Sequence, residues 1–323
     1  SVSDKANTLT RKGKIDFLIV DEAHMIPALN RDRGERDPSR FRRLVRELEE
    51  INPGLRVIGM TATPYRTDSG LIANEGNVIN EICYNISVRE LIDKGFLSKI
   101  VSRGAEEKKL DVDLEGVKTT AGDFNRHHLQ QKFGKNELVN LACMEIARRT
   151  VFRNKVLVFS TGVAHAKKIC EQLNDLDGCE SAKTIFGSSA SDSRDATIRE
   201  FQEGDLKYLV NCEVLTTGFD SPIVDAIVVL RPTQSPGLWY QMVGRGLRRS
   251  QAKDDCLVLD FGGNICRHGP IDKIHGGDND ANNEGASTRT DAWKYCPRCK
   301  EAVPIKSLDC PECGVDLRAR PDW

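Results

Sequence analysis

The chain has 323 residues, of which 39% are hydrophobic and 29% charged, and its formal net charge is −1. No apolar stretch approaches the ~20 residues that a membrane-spanning helix needs, so this composition is ordinary for a globular protein without membrane spans. The length suffices for two sizeable cores and a small appendage. A net charge near zero means that binding to a polyanion would require local basic patches.

The first predicted element is the apolar run 17–20, Phe-Leu-Ile-Val, which leads into Asp21 and Glu22, with His24 just beyond. A short, uniformly apolar run predicts a strand buried on both faces of a parallel sheet. Charges at its end would emerge at the carboxyl edge of the sheet, where open α/β sheets bind ligands. Solvated loop charges are the alternative for the two acids.

A helix is predicted next, with Asp37 as N-cap and Pro38 at the first helical position. Apolar residues follow at amphipathic spacing: Phe41, Leu44, Val45 and Leu48. Seven arginines between positions 31 and 46 are interleaved with or followed by acids, which favours a salt-bridged helix face. A loop that tracks phosphates is the alternative for these arginines.

The second predicted strand, 55–60, leads into the hydroxyl residues Thr61 and Thr63. At the edge of a sheet these hydroxyls could bind a phosphate, a water molecule or the carboxylates of the first segment. The two segments together therefore predict a ligand site.

Further apolar runs predict strands that alternate with helix-period segments: 155–160, 207–211, 226–230 and 256–261. This alternation predicts parallel sheets flanked by helices, an α/β fold. Residues 99–135 break the rhythm and predict a connection between two lobes. Residues 269–292 are rich in Gly, Asn and Asp and predict a flexible linker.

The strand predicted at 207–211 is followed by two hydroxyl residues, a glycine and an acid: Thr216, Thr217, Gly218 and Asp220. Hydroxyl groups and a glycine turn suit contact with a phosphate backbone. A simple turn is the alternative.

Another helix is predicted with Ser235 as N-cap and Pro236 at the first helical position. Three polar side chains would share one face of it at i, i+4 and i+7: Gln241, Arg245 and Arg248. Gly244 and Gly246 would lie inside this helix, where each costs about 1 kcal/mol relative to Ala. They predict the close approach of a bulky anionic ligand, with a solvated basic face as the alternative.

The segments VDEAH, TATP, LTTGFD and QMVGRGLRR, in this order, resemble motifs II, III, V and VI of superfamily 2 helicases. Residues 16 to 264 are similar to the bacterial RadD (YejH) DNA-repair helicases, notably in DCLVLDFGGN. The resemblance implies RecA-like P-loop NTPase lobes: a partial first lobe over 1–98 and a complete second lobe over 136–268.

The resemblance also implies that the protein uses ATP and Mg²⁺. Asp21 would hold Mg²⁺ and Glu22 would polarise the attacking water, with His24 in the same nucleotide site. Thr61 and Thr63 would couple the nucleotide state to the nucleic-acid groove.

In the second lobe, the resemblance implies that Gly218 and Asp220 border the nucleotide. Arg245 and Arg248 would act as finger residues on transition-state charge, with Gln241 supporting closure. Two hydroxyl residues would lie nearer the nucleic-acid backbone: Thr216 and Thr217.

The sequence lacks the G-x-x-x-x-G-K-[ST] phosphate loop. We therefore expect that loop to lie upstream of Ser1 or in another chain. By itself this chain is expected to be a poor ATPase.

Two Cys-x-x-Cys knuckles in residues 293–323 predict a zinc ribbon: Cys296, Cys299, Cys310 and Cys313. A pair of redox dithiols is the alternative. We expect the linker 269–292 to separate the core of this ribbon from that of the second lobe. The other seven cysteines predict reduced thiols of a cytoplasmic protein.

The predicted function is therefore the coupling of ATP hydrolysis to movement on single-stranded or branched DNA, in repair or recombination together with proteins of those processes. RNA remodelling is an alternative from the same class, although no motif in the sequence indicates recognition of the ribose 2′-hydroxyl of RNA. A module that binds nucleic acid or a partner without hydrolysis is an alternative from another class.

Overall fold

The structure, a computed structural model, describes residues 13–26, 40–66, 70–74, 77–120, 122–187, 191–212, 219–273 and 292–318. The chain divides into two compact units. Unit 1 comprises Ser1–Asn85 and Ser235–Gly237, and unit 2 comprises Ile86–Gln234 and Leu238–Trp323.

The described part of residues 1–85 contains four strands, one α-helix and the 3-10 helix Ala23–Met25. The strands and the α-helix are β1 (Phe17–Val20), α1 (Arg40–Ile51), β2 (Arg56–Gly59), β3 (Tyr65–Arg66) and β4 (Gly70–Leu71). Strands β1 and β2 pair in parallel, as predicted, with Ile19 opposite Ile58. Helix α1 buries Val45 and Leu48 of the predicted apolar stripe. The predicted cap at Asp37 and Pro38 lies outside the described residues.

The arginine-rich stretch is described only from position 40 onward. There Arg43 pairs with Glu47 one turn later, at 2.9 Å, and Arg42 donates to the Asn77 side chain at 3.2 Å. The pair Arg43–Glu47 is of the predicted kind, a salt bridge on one helix face, whereas Arg42 contacts a residue outside α1.

The prediction that β1 is buried on both faces is wrong. Phe17 is 60% exposed and Ile19 is 62% exposed, and Ile58 and Met60 of the second strand segment are exposed as well. Successive side chains of a strand point to opposite faces, and in the described part of unit 1 only β2 pairs with β1. One face of this two-stranded sheet is consequently open.

Unit 2 contains the remaining elements, in chain order: α2 (Val88–Asp93), β5 (Lys99–Gly104), β6 (Thr119–Thr120), β7 (Asp123–Phe124), α3 (Arg126–Phe133), α4 (Asn136–Arg149), β8 (Val156–Phe159), α5 (Val163–Asp177), β9 (Ala182–Phe186), α6 (Ser191–Glu203), β10 (Tyr208–Cys212), β11 (Ala226–Val229), α7 (Pro236–Gly244), β12 (Asp255–Asp260), α8 (Asn264–His268), β13 (Trp293–Tyr295) and β14 (Ala302–Pro304). Helix α7 begins in the short stretch assigned to unit 1.

A six-stranded sheet in the order β5-β12-β11-β8-β10-β9 forms the centre of unit 2. All its pairings are parallel, which confirms the predicted α/β class. The strand order reverses around β8, so the carboxyl ends of β8, β10 and β11 meet where ligands bind in open α/β sheets.

Two apolar clusters cover the two faces of this sheet. On one face the alternate strand residues Val156 and Val158 pack in a cluster with Ile146 of α4 and Ile169 of α5. On the other face Leu157 belongs to a second cluster, which includes Trp239 of α7, Phe201 of α6 and Ala302 of β14. Helices on both faces of a parallel sheet agree with the layer arrangement expected from strand–helix alternation.

Two strands of this sheet are absent from the sequence prediction. Strand β5 lies inside the predicted connection 99–135 and pairs along its length with β12 at the sheet edge. Strand β9 forms the opposite edge. Both are edge strands with mixed burial, so their sequences lack the uniformly apolar pattern of the central strands.

The four-cysteine segment, residues 292–318, is called the cysteine module below. Its strands β13 and β14 pair antiparallel. The expectation that a linker decouples its core from the second lobe is wrong, because Ala302 is fully buried in the cluster under the sheet. Ile271, within the predicted linker, is also buried in that cluster.

No helix among the described residues is both long and apolar enough to span a membrane.

Candidate nucleotide and metal sites

The turn after β1 places the two acids of the first predicted site. Glu22 adopts a left-handed backbone conformation, with φ 52° and ψ 47°, which is uncommon for a residue with a side chain. Its N–H donates to Asp21 Oδ1 at 2.8 Å, and the N–H of Ala23 donates to the carbonyl of Met60 at 2.9 Å. The turn is thereby tied to the end of β2, and both carboxylates remain exposed.

His24 joins the two segments of unit 1 that the sequence singles out. Its Nδ1 lies 3.0 Å from Thr61 Oγ1 and 3.3 Å from Glu22 Oε2. Thr61 Oγ1 also accepts the N–H of Thr63 at 3.0 Å, and Thr63 is buried. The imidazole of His24 therefore connects the hydroxyl of Thr61 with the carboxylate of Glu22. A movement of either side chain can displace the other through this contact.

The carboxylates suit a hydrated Mg²⁺ bound to a nucleotide. Mg²⁺ usually keeps several waters and binds proteins through one or two carboxylates together with substrate phosphates. One oxygen of Asp21 accepts a backbone N–H, which orients the carboxylate while leaving it exposed. Asp21 could hold such an ion, and Glu22 could act on a water beside it.

In unit 2, the prediction that Gln241, Arg245 and Arg248 share one helix face is wrong. Helix α7 ends at Gly244, Arg245 lies in a turn, and Arg248 forms an antiparallel bridge with Leu97. Ser98 donates its hydroxyl to the carbonyl of Arg248 at 3.1 Å. The segment after α7 thus runs along the residues that precede β5.

Gly246 explains why the helix ends there. A Cβ atom at this position would lie 2.2 Å from Cys256 Sγ and 2.9 Å from Ile227 Cγ1, so the backbone passes directly over the sheet. The glycine serves the packing of this segment on β11 and β12. The predicted approach of an anionic ligand at Gly246 stays a prediction.

The two arginines nevertheless converge on one segment. Arg245 Nη1 donates to the carbonyl of Phe219, and Arg248 Nη1 pairs with Asp220 Oδ2. The side chains of Arg248 and Asp220 are 44% and 58% exposed, so this is a surface ion pair of the kind that contributes little stability. Gln241 is half-buried on α7, and Thr216, Thr217 and Gly218 lie outside the described residues.

The four cysteines of the module meet in one cluster. Their sulfur atoms all lie within 4.8 Å of one another, with 3.6 Å for both Cys296–Cys313 and Cys299–Cys310. A tetrahedral zinc ion with Zn–S distances of about 2.3 Å separates its sulfurs by roughly 3.8 Å, whereas a disulfide requires about 2.05 Å. The cluster could bind zinc, and none of the eleven cysteines of the chain is joined in a disulfide.

The surroundings of Cys296 favour its thiolate form. Burial raises the pKa of this thiol, but hydrogen bonds from the backbone of Cys299 and Arg298 outweigh burial and lower the pKa to about 7. Zinc is bound by thiolates, so a thiol that ionises near neutral pH fits the metal.

Buried polar residues at the carboxyl ends of the strands escape the sequence analysis. After β8, His165 Nδ1 lies 2.8 Å from Thr161 Oγ1, and burial followed by the charge of Lys168 lowers the pKa of His165 to about 4. At the end of β12, Asp260 is buried and accepts the hydroxyl of Tyr295 of the cysteine module at 2.9 Å. Single polar residues at the end of apolar runs carry no spacing signal that marks them.

Residues 136–250 match the sequence profile of the family described as the helicase conserved C-terminal domain. They include the central strands β8, β10 and β11 and both arginines described above.

Two yeast proteins named as ATP-dependent helicases are similar over most of the chain. IRC3 of Saccharomyces cerevisiae is 30% identical over 254 residues, which are 76% of this chain and 34% of the relative. The mitochondrial irc3 of Schizosaccharomyces pombe is 32% identical over 265 residues, 80% of this chain and 40% of the relative. The chain therefore spans between a third and two fifths of the length of these relatives.

Among solved structures, a fragment of an HsdR subunit of a type I restriction enzyme from Vibrio vulnificus YJ016 has the same fold. It superposes with a TM-score of 0.59 at 22% identity and covers 80% of this chain and 46% of that chain. At this identity the likeness extends to the fold alone.

Proposed function

We propose that this chain is the C-terminal portion of an ATP-dependent superfamily 2 DNA helicase or translocase that acts in DNA repair or recombination. The observation that carries the proposal is the convergence of Arg245 and Arg248 on Phe219–Asp220 within a helicase C-terminal domain. The similarity to RadD helicases favours DNA over RNA, and repair or recombination proteins as partners. The proposal places the protein in a reducing compartment such as the cytoplasm, where thiols stay reduced.

Unit 1 contributes the acids of the proposed ATP site. Asp21 would hold Mg²⁺ and Glu22 would orient and deprotonate the attacking water. His24 and Thr61 would carry the nucleotide state to the hydroxyl segment that ends in Thr63. When bound, ATP with Mg²⁺ supplies the phosphoryl group that is transferred to water. In this proposal the phosphate loop comes from sequence outside this chain, which is in keeping with relatives that are roughly twice as long.

Unit 2 contributes the finger residues. The guanidinium of Arg248 is held by an exposed carboxylate, an arrangement that costs little to break. It can therefore leave Asp220 for the charge that develops on a transferring phosphoryl group. Arg245 is half-buried and donates to the carbonyl of Phe219, the residue before Asp220. It therefore positions the segment from which Arg248 would depart. An arginine finger accelerates hydrolysis by about 10³–10⁵-fold.

The cysteine module contributes a structural metal site. In the proposal, one Zn²⁺ is bound by the four cysteines and holds the two knuckles together. Closed four-cysteine sites of this kind hold the metal for folding, not for chemistry.

The proposal is tested by DNA-stimulated ATP hydrolysis in a polypeptide that joins this chain to a phosphate loop. Glu22→Gln keeps the shape of the side chain but removes the base, so kcat is expected to fall by about 10²–10⁴-fold with nucleotide Kd little changed. Glu49→Gln, at an exposed position of α1, is the matched control. A Glu22→Gln protein that retains more than a tenth of the wild-type kcat would exclude Glu22 as the base.

The finger assignment is tested in the same assay. Arg248→Ala should lower kcat far more than it weakens ATP binding, because the interaction forms with transition-state charge. Arg249→Ala is the neighbouring control, since Arg249 donates to the carbonyl of Gly95 on the surface. An unchanged kcat in Arg248→Ala would leave Arg245 as the finger. Equal stimulation by RNA and DNA would favour RNA remodelling, and nucleic-acid binding without any hydrolysis would favour a binding module.

A further inference from the structure

The carboxylate of Asp260 joins the cysteine module to the end of the central sheet. Asp260 is 1% exposed. Its Oδ1 accepts the N–H of Gly262 and the side-chain amide of Asn264, each at 3.0 Å. Its Oδ2 accepts the N–H of Ile265 at 2.7 Å and the hydroxyl of Tyr295 at 2.9 Å. Three of these donors belong to the start of α8 or to the turn before it, and the fourth belongs to β13.

Asn264 continues the chain of hydrogen bonds toward the segment 231–234. It is fully buried, its Oδ1 accepts the N–H of Thr233 at 2.9 Å, and its Nδ2 donates to the carbonyl of Arg231 at 3.0 Å. The ring Nε2 of His268, one turn further along α8, lies 2.9 Å from the carbonyl of Thr233. Helix α8 thus contacts the backbone of 231–234 at both of its ends.

Asp123 of β7 holds the same segment from the other side. Its Oδ1 accepts the hydroxyl of Thr233 at 3.0 Å and the N–H of Gln234 at 2.7 Å, and its Oδ2 pairs with Arg231 Nη2 at 3.2 Å. Thr233 is fully buried. The segment 231–234 therefore has its backbone fixed by side chains from two distant parts of unit 2.

This segment lies directly before α7, which leads into the two arginines. Within α7, Trp239 donates its indole N–H to the carbonyl of Gly269, just after α8, at 3.1 Å. A shift of α8 would therefore alter hydrogen bonds both to the segment that precedes α7 and to Trp239 within α7.

We propose that Tyr295 is a positioning residue through which the metal-loaded cysteine module fixes segment 231–234. The connection runs from Tyr295 through Asp260 and Asn264 to Thr233. Tyr295 precedes the first metal-binding cysteine, Cys296, so the fold of the knuckles sets where its hydroxyl lies. Any effect of this connection on ATP turnover, through the arginines that follow α7, rests on the proposed function. The structural connection itself does not.

The module also packs Ala302, Trp293 and Tyr295 in the second apolar cluster, and its polar contacts include several with the sheet edge. Arg103 of β5 pairs with Glu301 and Glu312, and the N–H of Gly104 donates to the carbonyl of Lys300 at 3.0 Å. These contacts hold the module on β5. Among the described contacts, the hydroxyl of Tyr295 is the group of the module that enters the hydrogen-bond chain to 231–234.

The test is amide hydrogen exchange on this chain, read by mass spectrometry on peptides that cover 229–235, 260–268 and 156–160. Tyr295→Phe removes one hydroxyl and keeps the ring. We expect exchange at Thr233, Gln234 and Ile265 to rise by about threefold to tenfold, the effect of one hydrogen bond, with zinc content and the 156–160 peptide unchanged. Tyr84→Phe, which removes the hydroxyl of a side chain that is 74% exposed in unit 1, should change none of these peptides.

Removal of zinc by a chelator is the second arm, with a larger increase expected in the same two regions. Wild-type exchange at 231–234 in Tyr295→Phe would overturn the proposal, as would an equal increase at 156–160, which would mark general destabilisation. A purified protein without zinc would overturn the role of the metal. Since the exchange experiment uses no ATP, a failed finger assignment leaves its result unaffected.

Discussion

Two four-residue strands of nearly the same composition differ strongly in burial in this protein. Phe17-Leu18-Ile19-Val20 forms β1, and Val156-Leu157-Val158-Phe159 forms β8. Phe17 and Ile19 are more than half exposed, whereas every residue of β8 is at most 3% exposed. The comparison teaches that an apolar run specifies a strand, while its neighbours decide whether the strand forms a core.

The neighbours differ in a simple way. Strand β8 lies between β10 and β11, with helices packed on both faces of the sheet. Strand β1 pairs with β2 alone among the described residues, so alternate side chains face outward. We expect the stability of unit 2 to come from its own packing and that of unit 1 to depend far less on the side chains of its sheet.

The largest expected effect comes from removing one cysteine of the four-cysteine cluster. This change tests how far the cysteine module stabilises the central sheet of unit 2. Cys296→Ser leaves three thiolates and should unfold residues 292–318, because structural zinc contributes about 10–16 kcal/mol in small modules. Limited proteolysis should then cleave the module, and exchange should accelerate in β5, which contacts it, but not in β1. Metal content by mass spectrometry checks the premise.

Cys179→Ser is the control for this change, since Cys179 is exposed and outside the cluster. A wild-type protein with no zinc and with the four cysteines in disulfides would contradict the metal site.

A smaller effect is expected from truncating one side chain in each strand. Leu157→Ala in β8 should lower the free energy of unfolding of unit 2 by about 2–5 kcal/mol, because it opens a cavity between packed layers. Ile19→Ala in β1 removes a side chain that is 62% exposed and should change stability by less than about 0.5 kcal/mol. Urea unfolding followed by exchange in each unit measures both. Equal losses would show that β1 is covered in solution.

The smallest expected effect is a dependence of unit 2 on pH. The pKa of His165 is lowered to about 4, chiefly by burial. Because the unfolded state binds the proton more readily, the stabilisation is complete above the ordinary pKa of about 6.5 and is lost as the pH falls toward 4. Between pH 7 and pH 5 the wild type should lose about 2 kcal/mol more than His165→Asn.

Asn keeps an acceptor for Thr161 but does not titrate, so the difference between the two proteins isolates the imidazole. Parallel curves of unfolding free energy against pH in the two proteins would contradict the assignment. Fluorescence of the buried Trp239 follows unit 2 in urea.

By itself, the sequence determined the features that depend on neighbouring residues. The strand candidates match β1, β2, β8, β10, β11 and β12 to within one or two residues, because apolar runs bounded by polar turns are local signals. The first helical position at Pro236 and the four-cysteine cluster follow from fixed local geometry as well. The placement of Asp21, Glu22 and the hydroxyl residues at strand ends is of the same kind.

Only the tertiary structure decided the features that depend on contacts between distant segments. The close passage of Gly246 over Cys256 ends α7 before Arg245, although the sequence spacing predicts a continuous helix. The pairing of β5 with β12 brings part of a predicted connection into the sheet, and the module docks on that strand although the sequence predicts a flexible linker before it. Asp260 and Tyr295 meet across 35 residues of sequence, and no local pattern encodes such a meeting, because it depends on how the sheet, α8 and the module pack together.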